Sequence, residues 1–152
     1  MVRGLNRRAC PFAFVGTEAM LPLFEGLPHM EGRTLGQVDL LPYDWADKAS
    51  RREFRGNLHR FETALGMPAP SALADSRTAY RIWHFSDGFL GRVTRLLDHA
   101  KTVAQRKRVA SLTNDVLAEA VDELRIGAGR RRPNPFRTEL APPREAEVEA
   151  AA

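Results

Sequence analysis

The stretch "ADKASRREFRGNLHRFETALG", residues 46–66, decides the fold class because its apolar side chains recur at helical spacing. They follow one another at intervals of four, three and four residues, as Phe54, Leu58, Phe61 and Leu65. This spacing places them on one face of an α-helix, and most of the arginines lie off that face. Gly66 is typical of a helix C-terminus. The chain is therefore predicted to become helical at Ala46.

Three further helices are predicted after this one. Ser71 is expected to cap a helix that carries Leu73, Tyr80, Ile82 and Trp83. Ser86 and Asp87 are expected to open the next, whose apolar face comprises Leu90, Val93, Leu97 and Ala100. Thr113 is expected to cap the last, whose stripe is Val116, Ala120, Val121 and Leu124. Residues 46–126 are thus predicted to form a bundle of about four helices.

The residues before this bundle have a different pattern. Residues 11–16 are typical of a buried strand that ends at Gly16, and Thr17 can cap a short helix after it. Residues 36–45 are predicted to form a second short strand that Pro42 ends. Because two strands alone are marginally stable, residues 1–45 are interpreted as the end of a larger sheet. The predicted fold class is mainly α with a two-strand β remnant.

The composition is that of an ordinary globular chain. The protein has 152 residues, a formal net charge of +4 and a single cysteine, Cys10. One cysteine excludes an internal disulfide framework and is compatible with a reducing cytoplasm, the expected location. No apolar stretch approaches the roughly 18 residues of a membrane span. Residues 127–152 are rich in Arg, Pro, Glu and Ala, and they are predicted to be a disordered tail. Its segment "GRRRPNPFRTEL" suits a flexible peptide that docks on DNA phosphates or on a partner protein.

Common catalytic motifs are absent from the sequence. It contains no phosphate loop of the form GxxxxGK[ST], and no GxGxxG, HExxH, CxxC or GxSxG pattern. His59 and Glu62 lie one helical turn apart, but a second such pair is missing, so no metal site is predicted and both are interpreted as surface residues.

Three polar features stand out. Thr17 follows a strand end, where α/β proteins bind ligands. Arg92 lies in the first turn of a predicted helix, where the helix dipole disfavours a cation, which indicates an anionic partner such as a phosphate. Arg33 lies in a glycine-flanked loop, and alone it indicates nothing.

The order and spacing of several stretches resemble the C-terminal part of the TniB family, AAA+ transposition helper ATPases related to TnsC. These stretches are "RRACPFAFVGTEAM", "GRTLGQVDLLPYDW", "EFRGNLHRFETAL", "SDGFLGRVTRLLDHAKTVA" and "LTNDVLAEAV", and together they cover approximately residues 2–125. By resemblance, residues 1–45 would be the end of the AAA+ core and residues 46–126 its helical lid.

The resemblance also implies roles for the three polar residues. Thr17 would occupy the sensor 1 position beside the terminal phosphate of ATP, and Arg92 would be the sensor 2 arginine of the lid. Arg33 would be an arginine finger for a neighbouring subunit, although "GRTLG" departs from the family pattern there. Intact relatives use ATP and magnesium, form homo-oligomers on DNA and recruit a transposase, so DNA and a transposase are the partners that the resemblance implies.

The phosphate loop and the acidic metal-binding strand of the family have no counterpart in this sequence. Because both are central to phosphoryl transfer, the chain alone is predicted not to hydrolyse ATP and not to bind it tightly. A truncated gene, a mis-assigned start codon and a genuine short protein all fit. An alternative is a non-enzymatic DNA-binding or adaptor protein built from the bundle and its basic tail. A helix-turn-helix over residues 89–123 is a variant of that alternative.

Overall fold

The computed structural model describes residues 22, 40–124 and 133–143 of the chain. The chain divides into two units, Met1–Asp39 and Leu40–Ala152. The boundary therefore lies before Leu40 rather than after residue 45, the end of the predicted core remnant. Since only residue 22 of the first unit is described, the architecture below is that of the second unit.

The described part of this unit contains four helices and is mainly α, as the sequence predicts. They are α1 (Lys48–Leu65), α2 (Ser76–Ser86), α3 (Leu90–Lys107) and α4 (Asn114–Leu124). Helix α3 packs most extensively against α4 and also contacts α1 and α2. It is therefore the central helix of the bundle.

The apolar stripes predicted from the sequence line the core. Phe54 and Leu58 of α1 are fully buried, and Phe61 and Leu65 pack against them. The α3 residues Val93, Leu97 and Ala100 and the α4 residues Val116, Ala120 and Val121 are buried as well. Trp45, which precedes α1, completes the aromatic part of the core beside Phe54, Tyr80 and Trp83.

Two of the predicted helix ends are confirmed. Gly66 ends α1 in the left-handed conformation, with φ of +60°. Thr113 precedes α4, and its hydroxyl accepts a hydrogen bond from the Val116 amide at 3.4 Å. The first cap was not predicted: a carboxylate oxygen of Asp47 accepts from the Ser50 amide at 2.6 Å and so begins α1.

Two other predicted caps are wrong because the polar side chains have different partners. Ser71 does not begin α2, which starts at Ser76 after Asp75; its hydroxyl accepts from the distant Leu112 amide at 2.9 Å. Asp87 does not open α3 but ends α2, in the left-handed conformation with φ of +51°. Helix α3 then starts at Leu90.

The predicted second strand is also corrected in its described part. Residues 40–44 have no regular secondary structure, and no strand occurs within residues 40–124 and 133–143. The main chain of this segment pairs with a helix junction instead of a strand, since the Tyr43 amide donates to the Gly88 carbonyl at 3.0 Å. Pro42 has no amide hydrogen to donate to a sheet. The first predicted strand, residues 11–16, lies outside the described residues.

Part of the predicted disordered tail is folded. Residues 133–143, here called the C-terminal clasp, contain the buried residues Asn134 and Phe136. The Asn134 amide donates to the Ala118 carbonyl at 2.8 Å and to the Asp122 carboxylate at 2.7 Å. On the α2 side, Arg81 donates to the Leu140 carbonyl at 3.2 Å. The prediction of a disordered tail is therefore wrong for residues 133–143, where Phe136 joins the core and Asn134 binds α4.

Candidate functional site

The junction between α2 and α3, residues 86–92, carries the one predicted site residue that the structure describes. Asp87 and Gly88 both adopt the left-handed conformation, with φ of +51° and +78°, and they reverse the chain between the helices. This turn places Arg92 in the first turn of α3, as the sequence predicts.

Arg92 is exposed and has partners on its own chain. Its Nη1 lies 2.5 Å from a carboxylate oxygen of Asp87, and the two side chains are 55% and 40% exposed. The guanidinium also lies over the Phe89 ring, 5.1 Å from its centroid. The anionic partner that the sequence indicated for Arg92 is therefore supplied, in this structure, by the turn that precedes α3.

A set of hydrogen bonds, here called the Tyr43 latch, ties the segment before α1 to this junction. The Tyr43 amide donates to the Gly88 carbonyl at 3.0 Å, and the Trp83 indole donates to the Tyr43 carbonyl at 2.6 Å. A Cβ on Gly88 would overlap the backbone of Tyr43, so only glycine fits this contact. The latch thereby connects the entrance of the helical unit with the turn that carries Arg92.

The hydroxyl of Tyr43 also has hydrogen-bond partners, both on α1. It donates to a Glu53 carboxylate oxygen at 3.0 Å and accepts from the Asn57 side chain at 2.9 Å. Burial, followed by the hydrogen bond to Glu53, raises the pKa of Tyr43. The phenol therefore stays neutral at physiological pH and remains a donor to Glu53.

The other two predicted site residues, Thr17 and Arg33, lie outside the described residues. The structure thus describes Arg92 without bringing it together with either of them. The roles of all three as nucleotide contacts stay predictions.

A second polar surface was not singled out in the sequence. Lys48, Arg52, Arg55 and His59 are exposed along one side of α1, and we call them the basic stripe. Their spacing of four, three and four residues confines them to an arc of about 60° around the helix. The signal was present in the sequence, but it was interpreted only as polar residues lying off the apolar stripe.

In the pair His59 and Glu62, the carboxylate of Glu62 has main-chain partners. Glu62 accepts hydrogen bonds from three backbone amides, those of Ser71, Ala72 and Leu73, at 2.6, 2.9 and 3.0 Å. Its carboxylate therefore organises the loop between α1 and α2. Among residues 40–124 and 133–143, no group of His, Cys, Asp and Glu side chains could hold a metal ion. No helix in the described part of the chain is both long and apolar enough to cross a membrane.

Comparison with protein-family models, with curated proteins and with solved structures finds no match to this chain. The TniB resemblance therefore rests on the sequence stretches quoted above.

Proposed function

We propose that this chain is a partial TniB-like AAA+ transposition helper: the helical lid and the last part of the ATPase core. In this proposal Arg92 contacts a nucleotide phosphate at a site that a separate phosphate loop completes. The observation that carries the proposal is the position of Arg92, exposed at the first turn of α3 and held by Asp87.

The contacts of Arg92 are compatible with an exchange of anions. An ion pair between exposed side chains contributes about 0–1 kcal/mol, so Asp87 holds the guanidinium weakly. A phosphate group presents more negative charge and several acceptor oxygens, which suit the planar guanidinium. Asp87 would therefore keep Arg92 extended until a phosphate replaces it.

The Tyr43 latch adds a means of coupling. It joins the segment that enters the helical unit to the turn that positions Arg92, through the main chain of Tyr43 and Gly88. A movement of residues 40–44 relative to the helices would have to break the latch or displace the turn that carries Arg92. This is the behaviour expected of a lid whose angle depends on the bound nucleotide.

A lid-exchange experiment tests the proposal. Residues 40–152 would replace the lid of an intact TniB-like ATPase, and ATP hydrolysis of the chimera would be measured. We expect Arg92→Ala to lower the rate about tenfold to a hundredfold, the equivalent of one charge-assisted hydrogen bond. Arg95→Ala is the matched control, because Arg95 is exposed one turn further along α3. Equal rates for the two variants would refute the role of Arg92.

The latch provides a second variant in the same chimera. Gly88→Ala should lower the rate in parallel with Arg92→Ala, because a Cβ there displaces Tyr43 and the turn. Gly91→Ala is the control, since a Cβ at that position meets no atom within 4 Å. The full chain without a separate core should neither hydrolyse ATP nor bind a fluorescent ATP analogue tightly. Hydrolysis by the chain alone would contradict the proposal.

The alternative is a non-enzymatic DNA-binding or adaptor protein, and the basic tail residues Arg130, Arg131 and Arg132 that it uses lie outside the described residues. Arg137, one of the basic residues of the tail, pairs with Asp122 at 2.6 Å and is not available as a free cation. The described part of the tail is therefore a folded segment of the helical unit. Among the described residues, a basic surface that could serve this alternative lies on α1.

A further inference from the structure

We propose that the basic stripe of α1 is a nucleic-acid docking surface that binds the phosphates of a duplex backbone. The stripe comprises Lys48, Arg52, Arg55 and His59, all exposed. The inference does not involve Arg92, and it holds or fails independently of the lid proposal.

The cations of the stripe are not neutralised by the described part of the chain. Lys48 and Arg52 form no ion pair with any residue of 40–124 or 133–143, and the guanidinium of Arg55 donates only to the Ala74 carbonyl, at 2.8 Å. A carbonyl acceptor leaves the charge of Arg55 uncompensated. The stripe therefore presents cations that have no anionic partner among the described residues.

The neighbouring carboxylates accept hydrogen bonds from groups outside the stripe. Asp47 caps α1 through the Ser50 amide, and Glu62 is occupied by three amides of the following loop. Glu53 lies on another side of the helix and accepts from the Tyr43 hydroxyl. Asp75 precedes α2 beside Ala74, and the cation Arg77 follows two residues later in the first turn of α2. These carboxylates keep their charge, but over residues 44–62 the five cations Lys48, Arg51, Arg52, Arg55 and Arg60 outnumber the four carboxylates Asp44, Asp47, Glu53 and Glu62, so the net charge of this segment is positive.

The length of the stripe matches a nucleic-acid backbone. At a rise of 1.5 Å per residue, the eleven steps from Lys48 to His59 span about 16 Å. A strand of B-DNA carries one phosphate every 3.4 Å along its axis, so about five phosphates lie alongside that length. Arginine suits these groups because its guanidinium can bind two phosphate oxygens at once.

An anionic membrane fits α1 less well than a nucleic acid. A helix that lies on a membrane needs an exposed apolar face beside its cations. The apolar face of α1 is used in the core, where Phe54 and Leu58 have no exposed surface. Because the stripe has exposed cations but no exposed apolar face beside them, it suits the phosphates of a nucleic acid in water better than a membrane surface.

The experiment measures binding of the full chain to a fluorescent 20-base-pair duplex of mixed sequence by anisotropy, between about 50 and 200 mM salt. Three phosphate contacts, from Lys48, Arg52 and Arg55, predict a slope of log affinity against log salt of about −2.7. Affinity should therefore fall about 40-fold across this range. The double variant Lys48→Gln with Arg52→Gln should bind at least about tenfold more weakly at the lower salt, with a slope near −1.

The control is the double variant Arg95→Gln with Arg108→Gln, which removes the same charge from exposed positions of α3 and its C-terminus. It should retain most of the affinity and the slope. Equal losses in both double variants would overturn the proposal, because binding would then follow net charge rather than this surface. Absence of duplex binding at the lower salt, or binding to phosphatidylserine vesicles but not to the duplex, would also overturn it.

Discussion

Helices α1 and α4 carry net charges of opposite sign, and they differ in whether those charges have partners within the described part of the chain. Helix α4 carries four carboxylates, and three of them, Glu119, Asp122 and Glu123, have cationic partners within the fold. Helix α1 carries an exposed row of cations that the described part of the chain leaves without carboxylate partners. Ion pairs within the fold can stabilise it, whereas exposed cations without such a partner can bind an anion on another molecule.

The carboxylates Glu119, Asp122 and Glu123, here called the acidic side of α4, have their partners on two other elements, α3 and the C-terminal clasp. From α3, Arg106 binds both Glu119 and Glu123, Lys107 binds Glu119, and His99 binds Glu123 at 2.7 Å. The C-terminal clasp binds Asp122 through Asn134 and Arg137. Variants of α4 and its partners should therefore change stability, and variants of the basic stripe should change binding.

The largest effect is expected in the clasp. Phe136 is only 4% exposed, so Phe136→Ala should lower the free energy of unfolding by about 3 kcal/mol. The loss cannot exceed the free energy with which the clasp docks, because the clasp can detach as a unit. Urea denaturation followed by circular dichroism measures it, with the exposed Glu139→Ala as control. A loss below about 0.5 kcal/mol would show that the clasp does not close α4 in solution.

A smaller loss is expected from Asn134→Ala. This change removes the acceptor of the Phe136 amide, at 2.9 Å, and the donor to Asp122. Leaving a buried amide without a partner should cost about 1–3 kcal/mol. A double-mutant cycle with Asp122→Ala should give a coupling energy, since the two side chains share a hydrogen bond. Strict additivity would contradict the contact between clasp and helix.

The acidic side should also govern stability at low pH. Hydrogen bonds from Lys107 and then Arg106 lower the pKa of Glu119, and hydrogen bonds from Arg106 and then His99 lower that of Glu123. Because both values are lower in the folded state, their contribution is present above the unfolded pKa of about 4.3 and is lost as the pH falls through the folded values. The urea midpoint should therefore drop in acid.

Arg106→Gln should flatten that acid part of the profile, because it removes a hydrogen-bond partner of both carboxylates. Arg95→Gln removes an equal charge without touching α4, and its profile should match that of the original chain. Identical profiles for the two variants would mean that the ion pairs of α4 contribute nothing in solution.

The smallest effect on stability is expected from the basic stripe. Lys48→Gln with Arg52→Gln removes two exposed cations that have no partner in the described part of the chain, so the free energy of unfolding should change by less than about 0.5 kcal/mol. A loss above about 1 kcal/mol in the same urea assay would mean that the stripe has a structural role. The proposed difference between α1 and α4 would then be wrong, because both helices would use their charges for stability.

Prediction from the sequence succeeded where a signal is local. The apolar stripe of α1 and the caps at Gly66 and Thr113 depend on residues within four positions of one another, and the structure confirms them. It failed where a short polar residue had two possible partners. Serine and aspartate are both residue types that are favoured at an N-cap. In the structure, however, the Ser71 hydroxyl accepts from the Leu112 amide, and Asp87 adopts the left-handed conformation that ends α2.

The candidate site shows the same division. The position of Arg92 in the first turn of a helix was predictable, because glycine and apolar spacing mark that start. Its pairing with Asp87 and the Tyr43 latch were not, because they depend on a turn with two left-handed residues and on a contact 40 positions apart, between Trp83 and Tyr43.

The sequence by itself determined that the described part of the chain is mainly helical and which faces of the helices are apolar, since periodicity and capping act over one or two turns. Only the tertiary structure decided that the clasp is folded and which charges are neutralised. A hydrogen bond such as that from Arg81 to the Leu140 carbonyl joins residues 59 positions apart. Such a partner is selected when helices pack, and no local pattern records it.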